Sequence, residues 1–432
     1  MARREAVVSR ALANTHPVVV AAGHGAVVED VDGNRYIDFA GGIGTLNVGH
    51  TAASVVAAVQ AQAAELTHMC FAVAPYENYV ALAERLVAIT PGRFAKKVML
   101  VNSGAEAVEN AIKIARYATQ RSGVLCFEDA FHGRTFMALS LTSKVKPYKA
   151  GFGALVPDVH RVPYAYCYRC SFARSYPSCE AACVDAIEDY FRRHVDPSLI
   201  AAMIVEPVLG EGGFVVPPAE FLQKLAALCR RHGIIVIADE VQTGFGRTGR
   251  MFACEHSGLE PDILVTAKSI AGGLPLAAVV GRAELMDAPA PGGLGSTYAG
   301  NPLAVAAAHA VLDLFEDRTL LARADAVGRR LEARMARWAA EHALIGDVRR
   351  LGAMVAMELV KNRDSKEPAK AETDALVKLA RERGVLLIPA GTFGNIIRVL
   401  VPLVATDAEL DEGLDVLGAC LAQVSTGAAV AV

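Results

Sequence analysis

The stretch PDILVTAKSIAGGLPLAAVVG, residues 261–281, ends an apolar run of strand character on a single lysine, Lys268, and follows it at once with small residues and glycines. Two earlier runs also end on a charge: IAAMIVEP reaches Glu206 and IIVIADE reaches Asp239. These three residues are 33 and 29 positions apart, close to the length of one β-α-β unit. Between about residues 95 and 285 such runs alternate with helical patterns, among them KVMLVN before AEAVENAIKIARYATQ, then GVLCFE, and AEFLQKLAALCRRHG before IIVIADE. Runs that are apolar on both faces and separated by helices predict an α/β domain with a mostly parallel sheet covered on both sides. Parallel strands bring Glu206, Asp239 and Lys268 to one carboxyl edge, where open α/β sheets take their ligands.

Outward from this segment the patterns change. DVDGNRYIDF has hairpin chemistry, with Asp32, Gly33 and Asn34 as the turn. Beyond about residue 303 a long helical stretch precedes strands at VRRLGAMVAMELV and NIIRVLVPL and a helix opened by the capping box Thr406-Asp407-Ala408-Glu409. The expected division is a large domain over residues 51–305 and a smaller α+β domain built from 1–50 and 306–432. Over 432 residues, 43 basic side chains nearly balance 46 acidic ones, so neither a polyanion nor an anionic membrane surface is an expected partner and a small molecule is. No apolar run approaches the roughly 20 residues that span a bilayer. No cleaved leader is expected at MARREAVVSR, and cytoplasm is the default compartment. Of nine cysteines, five lie scattered in apolar contexts, as reduced thiols do; Cys167, Cys170, Cys179 and Cys183 instead form CxxC followed by CxxxC. That spacing suits a soft metal or a surface excursion with spare thiols, and no metal is assigned to it.

A lysine facing a strand-end crevice loses hydration, which lowers its pKa and frees the amine to attack a carbonyl. Taken alone, such a lysine is more often an ion-pair partner, here of Asp239 or Glu206. A second constellation favours the chemistry. VNSGAEAVENAIKIAR runs from a strand through Asn102, Ser103, Gly104 and Ala105 into an amphipathic helix, whose free first-turn N–H groups make an anion site. PGGLGSTYAGNP places Ser296 and Thr297 where they can hold an anion too. An imine-forming lysine, phosphate-holding turns and a strand-end aspartate together meet the needs of pyridoxal 5'-phosphate, whose ring nitrogen must stay protonated; Asp239 can hold that proton.

The chain resembles the class III, omega-amino acid, aminotransferases that use this cofactor, and within them the branch acting on 4-aminobutyrate. The motifs VNSGAEAVENAIKIAR, FHGRT, EPVLGEGGF, IADEVQTGFGRTG, AKSIAGGLPLAAVVGRAE and STYAGNP carry the resemblance, which runs from DVDGNRYIDFAGGIGTLNVGH to IIRVLVPL. It implies the fold type I of pyridoxal-phosphate-dependent transferases, in a homodimer or a dimer of such dimers with active sites at the interface. It further implies that Lys268 bonds the cofactor aldehyde and then carries the proton, that Asp239 pairs with the ring nitrogen, and that Gln242 reaches the ring hydroxyl. Val241 and Phe131 would sandwich the ring. Ser103, Gly104 and Ala105 belong to the phosphate turn, and Thr297 would reach the same phosphate from the neighbouring subunit. His132 is placed with the cofactor residues in a structural role, since Lys268 already serves as base; Glu206 either touches the cofactor or orients its neighbours. Arg134, with Ile43, would hold the donor's remote carboxylate. Arg398 would bind the α-carboxylate of 2-oxoglutarate or glutamate, with Glu211 masking it in the first half-reaction. The implied reaction moves the terminal amine of 4-aminobutyrate or a near homologue to 2-oxoglutarate, giving a semialdehyde and glutamate. An omega-amino acid or diamine aminotransferase using pyruvate is the alternative, and a lyase forming its imine directly on Lys268 is the rival of another class. The resemblance does not match the four clustered cysteines to the iron–sulfur ligands of some eukaryotic relatives.

Overall fold

The computed structural model describes residues 1–427. The chain forms two compact units, one of residues 53–324 and one combining residues 1–52 with the chain from 325 onward.

The larger unit is built on a seven-stranded sheet: β1 (Lys96–Val101), β2 (Gly123–Phe127), β3 (Val159–Val162), β4 (Ile200–Val205), β5 (Ile235–Asp239), β6 (Ile263–Thr266) and β7 (Ala277–Arg282), in the spatial order β1-β7-β6-β5-β4-β2-β3. Strands β3, β2, β4, β5 and β6 are mutually parallel. Only β7 breaks the rule, pairing antiparallel with both β6 and β1. The physical reason is the length of its connection: Ala267 to Leu276 is too short for a crossover, which takes a dozen residues or more.

Every residue of β2, β4, β5 and β6 is buried, because helices cover both faces. On one face Ala107, Val108, Ala111, Ile112 and Ala115 of α3 (Gly104–Thr119) pack with Met137, Ala138 and Leu141 of α4 (Phe136–Leu141) onto Val124, Ala202, Ile204, Ile237 and Val265. On the other, α6 (Ala219–His232) buries Phe221, Leu222, Leu225, Leu228 and Cys229, with the Phe221 ring edge-on to Phe127 at 6.0 Å. Truncating a fully buried leucine such as Leu225 to alanine costs about 2–5 kcal/mol. Gly233, at φ 62°, closes α6 in the left-handed conformation that a β-carbon disfavours. The unit also holds α1 (Ala53–Glu65), α2 (Glu77–Ile89), α5 (Asp185–Arg193) and α7 (Pro302–Asp313). Helix α7 packs against α1, α2 and the turn that begins at Lys268.

The smaller unit draws on both ends of the chain. Val20–His24, Val27–Asp30 and Arg35–Asp38 form an antiparallel meander joined in parallel by Val385–Leu386, and Gly33, at φ 81°, sits in the Asp32–Asn34 turn. A second four-stranded sheet has the order Ile345–Leu351, Met354–Leu359, Ile396–Val399, Ile388–Ala390. Thr406 caps the helix Asp407–Ser425, and its hydroxyl accepts from the N–H of Glu409 while the Glu409 carboxylate receives the N–H of Thr406. The second change of unit falls between 324 and 325, inside the helix Thr319–Glu341, whereas 305/306 falls inside α7. Helix α7 stays with the larger unit because its buried face is used against α1 and α2. Among the described residues no helix is long and apolar enough to cross a membrane.

Candidate active site

Strands β4, β5 and β6 are adjacent and parallel, so their carboxyl ends line up. Glu206 follows the last residue of β4, Asp239 is the last residue of β5, and Lys268 comes two residues after β6. Lys268 is half-buried and has φ 46°, in the left-handed region that non-glycine residues rarely adopt. Holding it there costs of order 1 kcal/mol, a strain that folded chains concentrate at functional sites.

Asp239 is 4% exposed. Its Oδ2 lies 2.7 Å from His132 Nδ1, and its Oδ1 accepts the N–H of Val241 at 3.1 Å. The His132 side chain is fully buried; its backbone N–H donates to Thr142 Oγ1 at 3.0 Å, and its Nε2 has no hydrogen-bond partner among the described residues. The imidazole thus fixes the direction of the Asp239 carboxylate from behind and leaves the remaining lone pairs of that carboxylate for a cation in front. Glu206 accepts the N–H of Phe131 at 2.7 Å and that of Gly210 at 2.8 Å. Burial raises its carboxyl to about 7; the His132 ring opposes this shift and the Asp239 charge adds to it. Glu206 therefore holds two turns of the site in place. Gln242, 6% exposed, lies against Gly210: a β-carbon there would come within 2.3 Å of Gln242 Oε1 and 3.3 Å of Glu206 Oε2.

The turn from β1 into α3 has a defined shape. Ser103 caps α3, its Oγ accepting from the N–H of Glu106 at 3.2 Å, and its carbonyl takes the N–H of Ala107 at 3.0 Å. That leaves the N–H groups of Gly104 and Ala105 without partners among the described residues, at the positive end of a helix. A β-carbon on Gly104 would stand 2.9 Å from Val241 Cγ1, and one on Gly133 2.7 Å from the Ala105 Cβ. The helix terminus, Val241 and the loop carrying Phe131, His132 and Arg134 therefore converge. The two glycine-rich segments, separate in sequence, are joined by Asn102 Nδ2 donating to Ser296 Oγ at 3.0 Å; Thr297 beside it is exposed. An orphaned N–H pair, a cradle that a single methyl would fill, a buried carboxylate and a strained lysine on the next strand suit a phosphorylated, aldehyde-bearing, cationic heterocycle.

Arg134 is exposed, its Cζ 4.8 Å from the ring centroid of Tyr148, which in turn meets Phe131 edge-on at 5.2 Å. Tyr148 belongs to no motif, and no sequence spacing announces it. Glu211 is half-buried in the turn after Gly210. Ile43 and Arg398 belong to the smaller unit, Ile43 at φ 60° and 47% exposed, Arg398 in a central strand and 2% exposed. Within that unit their segments touch: the N–H of Leu400 donates to Phe39 O at 2.8 Å, and Gly41 packs so tightly on Leu400 O that a β-carbon would lie 2.0 Å from it.

All nine cysteines are free. Cys167, Cys170, Cys179 and Cys183 line one cleft with Tyr164, Tyr166 and Phe172. No three His, Cys, Asp or Glu side chains among the described residues are placed to hold a metal ion.

Comparison with known proteins agrees with this chemistry. The family model for class-III aminotransferases matches residues 7–421. The chain is 50% identical over 418 residues to a 5-aminovalerate aminotransferase of Pseudomonas aeruginosa, covering 97% of this chain and 96% of that one. It is 49% identical over 425 residues to a 4-aminobutyrate aminotransferase of Mycobacterium tuberculosis, covering 97% and 94%. Among solved structures, an amine transaminase from an uncultivated Pseudomonas species, in a form with pyridoxal phosphate bound, superposes with a TM-score of 0.88 at 34% identity, covering 94% of this chain and 95% of that one. The α/β architecture is fold type I, and with a family match along nearly the whole chain and relatives at half identity, this protein belongs to the class-III aminotransferases.

Proposed function

We propose that the protein is an omega-amino acid aminotransferase that takes the terminal amine of 4-aminobutyrate or 5-aminovalerate and passes it to 2-oxoglutarate, giving the semialdehyde and glutamate. The observation that carries the proposal is Lys268 and the His132-backed Asp239 on neighbouring parallel strand ends, beside a helix terminus with two unspent N–H groups. Pyridoxal 5'-phosphate is the cofactor; it supplies an aldehyde that takes up the amine and a cationic ring that draws electrons from the adjacent carbon.

The chain's residues divide the remaining work. Gly104 and Ala105 hold the phosphate through their N–H groups, Ser103 shapes the turn, and Thr297 of a second copy reaches the same phosphate across a homodimer. Asp239 keeps the ring nitrogen protonated, Gln242 meets the ring hydroxyl, and Val241 and Phe131 bracket the ring. Lys268 Nζ would remove the proton from the amine-bearing carbon and later return one. Arg134, with Ile43, holds the donor's remote carboxylate. Arg398 receives the α-carboxylate of the acceptor, and Glu211 neutralises Arg398 while a donor without that carboxylate is bound. The enzyme works in the cytoplasm.

A screen of amino donors of increasing chain length against 2-oxoglutarate and pyruvate tests this directly. The expected result is highest kcat/KM for donors of four or five carbons with 2-oxoglutarate. Equal or greater turnover with pyruvate would replace the acceptor assignment with the pyruvate-dependent alternative.

A further inference from the structure

We propose that Tyr148 is a specificity-determining residue for the amino donor: its ring sets the position of the Arg134 guanidinium, and with it the reach at which a remote carboxylate is held. This rests on the reading of Arg134 as the receptor for that carboxylate.

Arg134 is exposed on a long side chain, and among the described residues its guanidinium has no ion-pair partner and no hydrogen bond. The guanidinium lies over the face of the Tyr148 ring, with Cζ 4.8 Å from the centroid. That kind of contact matters chemically. A carboxylate neighbour would consume the N–H fork that a substrate carboxylate needs, whereas a ring face holds the guanidinium plane and leaves its in-plane donors unspent.

Tyr148 is itself held in place. Its ring meets Phe131 at 5.2 Å and 64° between planes, and Phe131 takes its place from its N–H bond to Glu206. The segment carrying Tyr148 is fastened to the Phe131–Arg134 loop: Ser143 N–H donates to Ala130 O at 2.8 Å, and Thr142 Oγ1 donates to Gly133 O at 3.0 Å. Lys149 N–H and Ala150 N–H both donate to Val145 O, at 2.7 and 3.1 Å, so the backbone on the far side of Tyr148 is closed into a turn. A ring fixed from three sides is a firm shelf for a guanidinium that has no polar partner among the described residues. It also couples the donor's remote end to Phe131, one of the two residues bracketing the cofactor ring.

The test compares Tyr148→Leu and Tyr148→Phe with wild type, using 4-aminobutyrate, 5-aminovalerate and a straight-chain primary amine lacking the carboxylate. Losing a partly solvated cation–π contact predicts a drop of about two- to fivefold in kcat/KM for both carboxylate donors in Tyr148→Leu. The drop should appear in KM rather than kcat, should alter the ratio between the two donors, and should spare the plain amine. Tyr148→Phe, which keeps the ring, should restore wild-type values. If Tyr148→Leu does not fold, Tyr148→Met removes the ring with an unbranched side chain that adapts to the space left. The proposal is overturned if the ringless variant keeps the full carboxylate preference, loses all three substrates equally, or is not rescued by phenylalanine. A wild-type enzyme with no preference for the carboxylate donors would overturn the Arg134 reading, and this proposal with it; a wild-type preference that survives loss of the ring would overturn this proposal alone.

Discussion

Replacing Gly104 by alanine tests the phosphate turn through sterics alone. Gly104 does not need glycine's conformational freedom, and alanine is the better helix former by up to about 1 kcal/mol. The obstacle is Val241: the new methyl would stand 2.9 and 3.0 Å from its Cγ1 and Cγ2, where carbon atoms normally rest at about 3.5–4.0 Å. Neither side yields easily. The helix start is fixed by Ser103 and Glu106, and Val241 by its N–H bond to Asp239 Oδ1. Overpacking of this size costs about 1–3 kcal/mol, which leaves a net loss of up to about 2 kcal/mol after the helix gain. The shift needed to relieve the clash also turns the Gly104 and Ala105 N–H groups away from the anion, so cofactor affinity should fall by about tenfold. Titration of cofactor-depleted enzyme with pyridoxal phosphate, followed by absorbance, measures the affinity. Combining Gly104→Ala with Val241→Ala should recover about 1–2 kcal/mol relative to the sum of the single changes. Unchanged affinity in Gly104→Ala, or strict additivity in the double variant, would refute the argued geometry.

Two further outcomes follow from buried groups. Glu206 titrates near 7 in the folded protein against an ordinary 4.5, chiefly because it is buried. Its contribution to stability is therefore fully present below pH 4.5 and is lost as the pH rises through about 7, by about 3 kcal/mol. Denaturant unfolding at pH 5 and pH 8 should show this loss in wild type and a flatter response in Glu206→Gln; equal pH responses would contradict it. Among the thiols, Cys167 is exposed although local burial raises it too, whereas Cys126 and Cys229 are buried, which pushes Cys126 up to about 11 and Cys229 well above its usual value. Maleimide labelling of the native enzyme, read by peptide mass spectrometry, should mark Cys167 first and leave Cys126, Cys229, Cys254 and Cys420 unmarked until unfolding. Labelling of Cys126 as fast as Cys167 would contradict this.

What could be read from sequence was set by how local the cause is. Glu206, Asp239 and Lys268 were legible because each ends an apolar run and the runs repeat at one β-α-β length. The Ser103 cap and the Thr406–Glu409 box were legible because capping is completed within four residues. Contacts between distant segments were not. Nothing in FHGRT says that His132 reaches across 107 positions to Asp239, or that Asn102 bonds Ser296. Tyr148 left no signal, since a tyrosine between a proline and a lysine in a loop has no periodic or motif context. The antiparallel direction of β7 could have been foreseen from its ten-residue connection, which is shorter than a crossover.

The central claim is that the amine at position 268 is the point of attachment of the cofactor. Borohydride reduction of the freshly purified, cofactor-loaded enzyme, followed by proteolysis and peptide mass spectrometry, should find the phosphopyridoxyl mass on Lys268 and on no other lysine. An active enzyme whose Lys268 peptide is recovered unmodified would contradict the account.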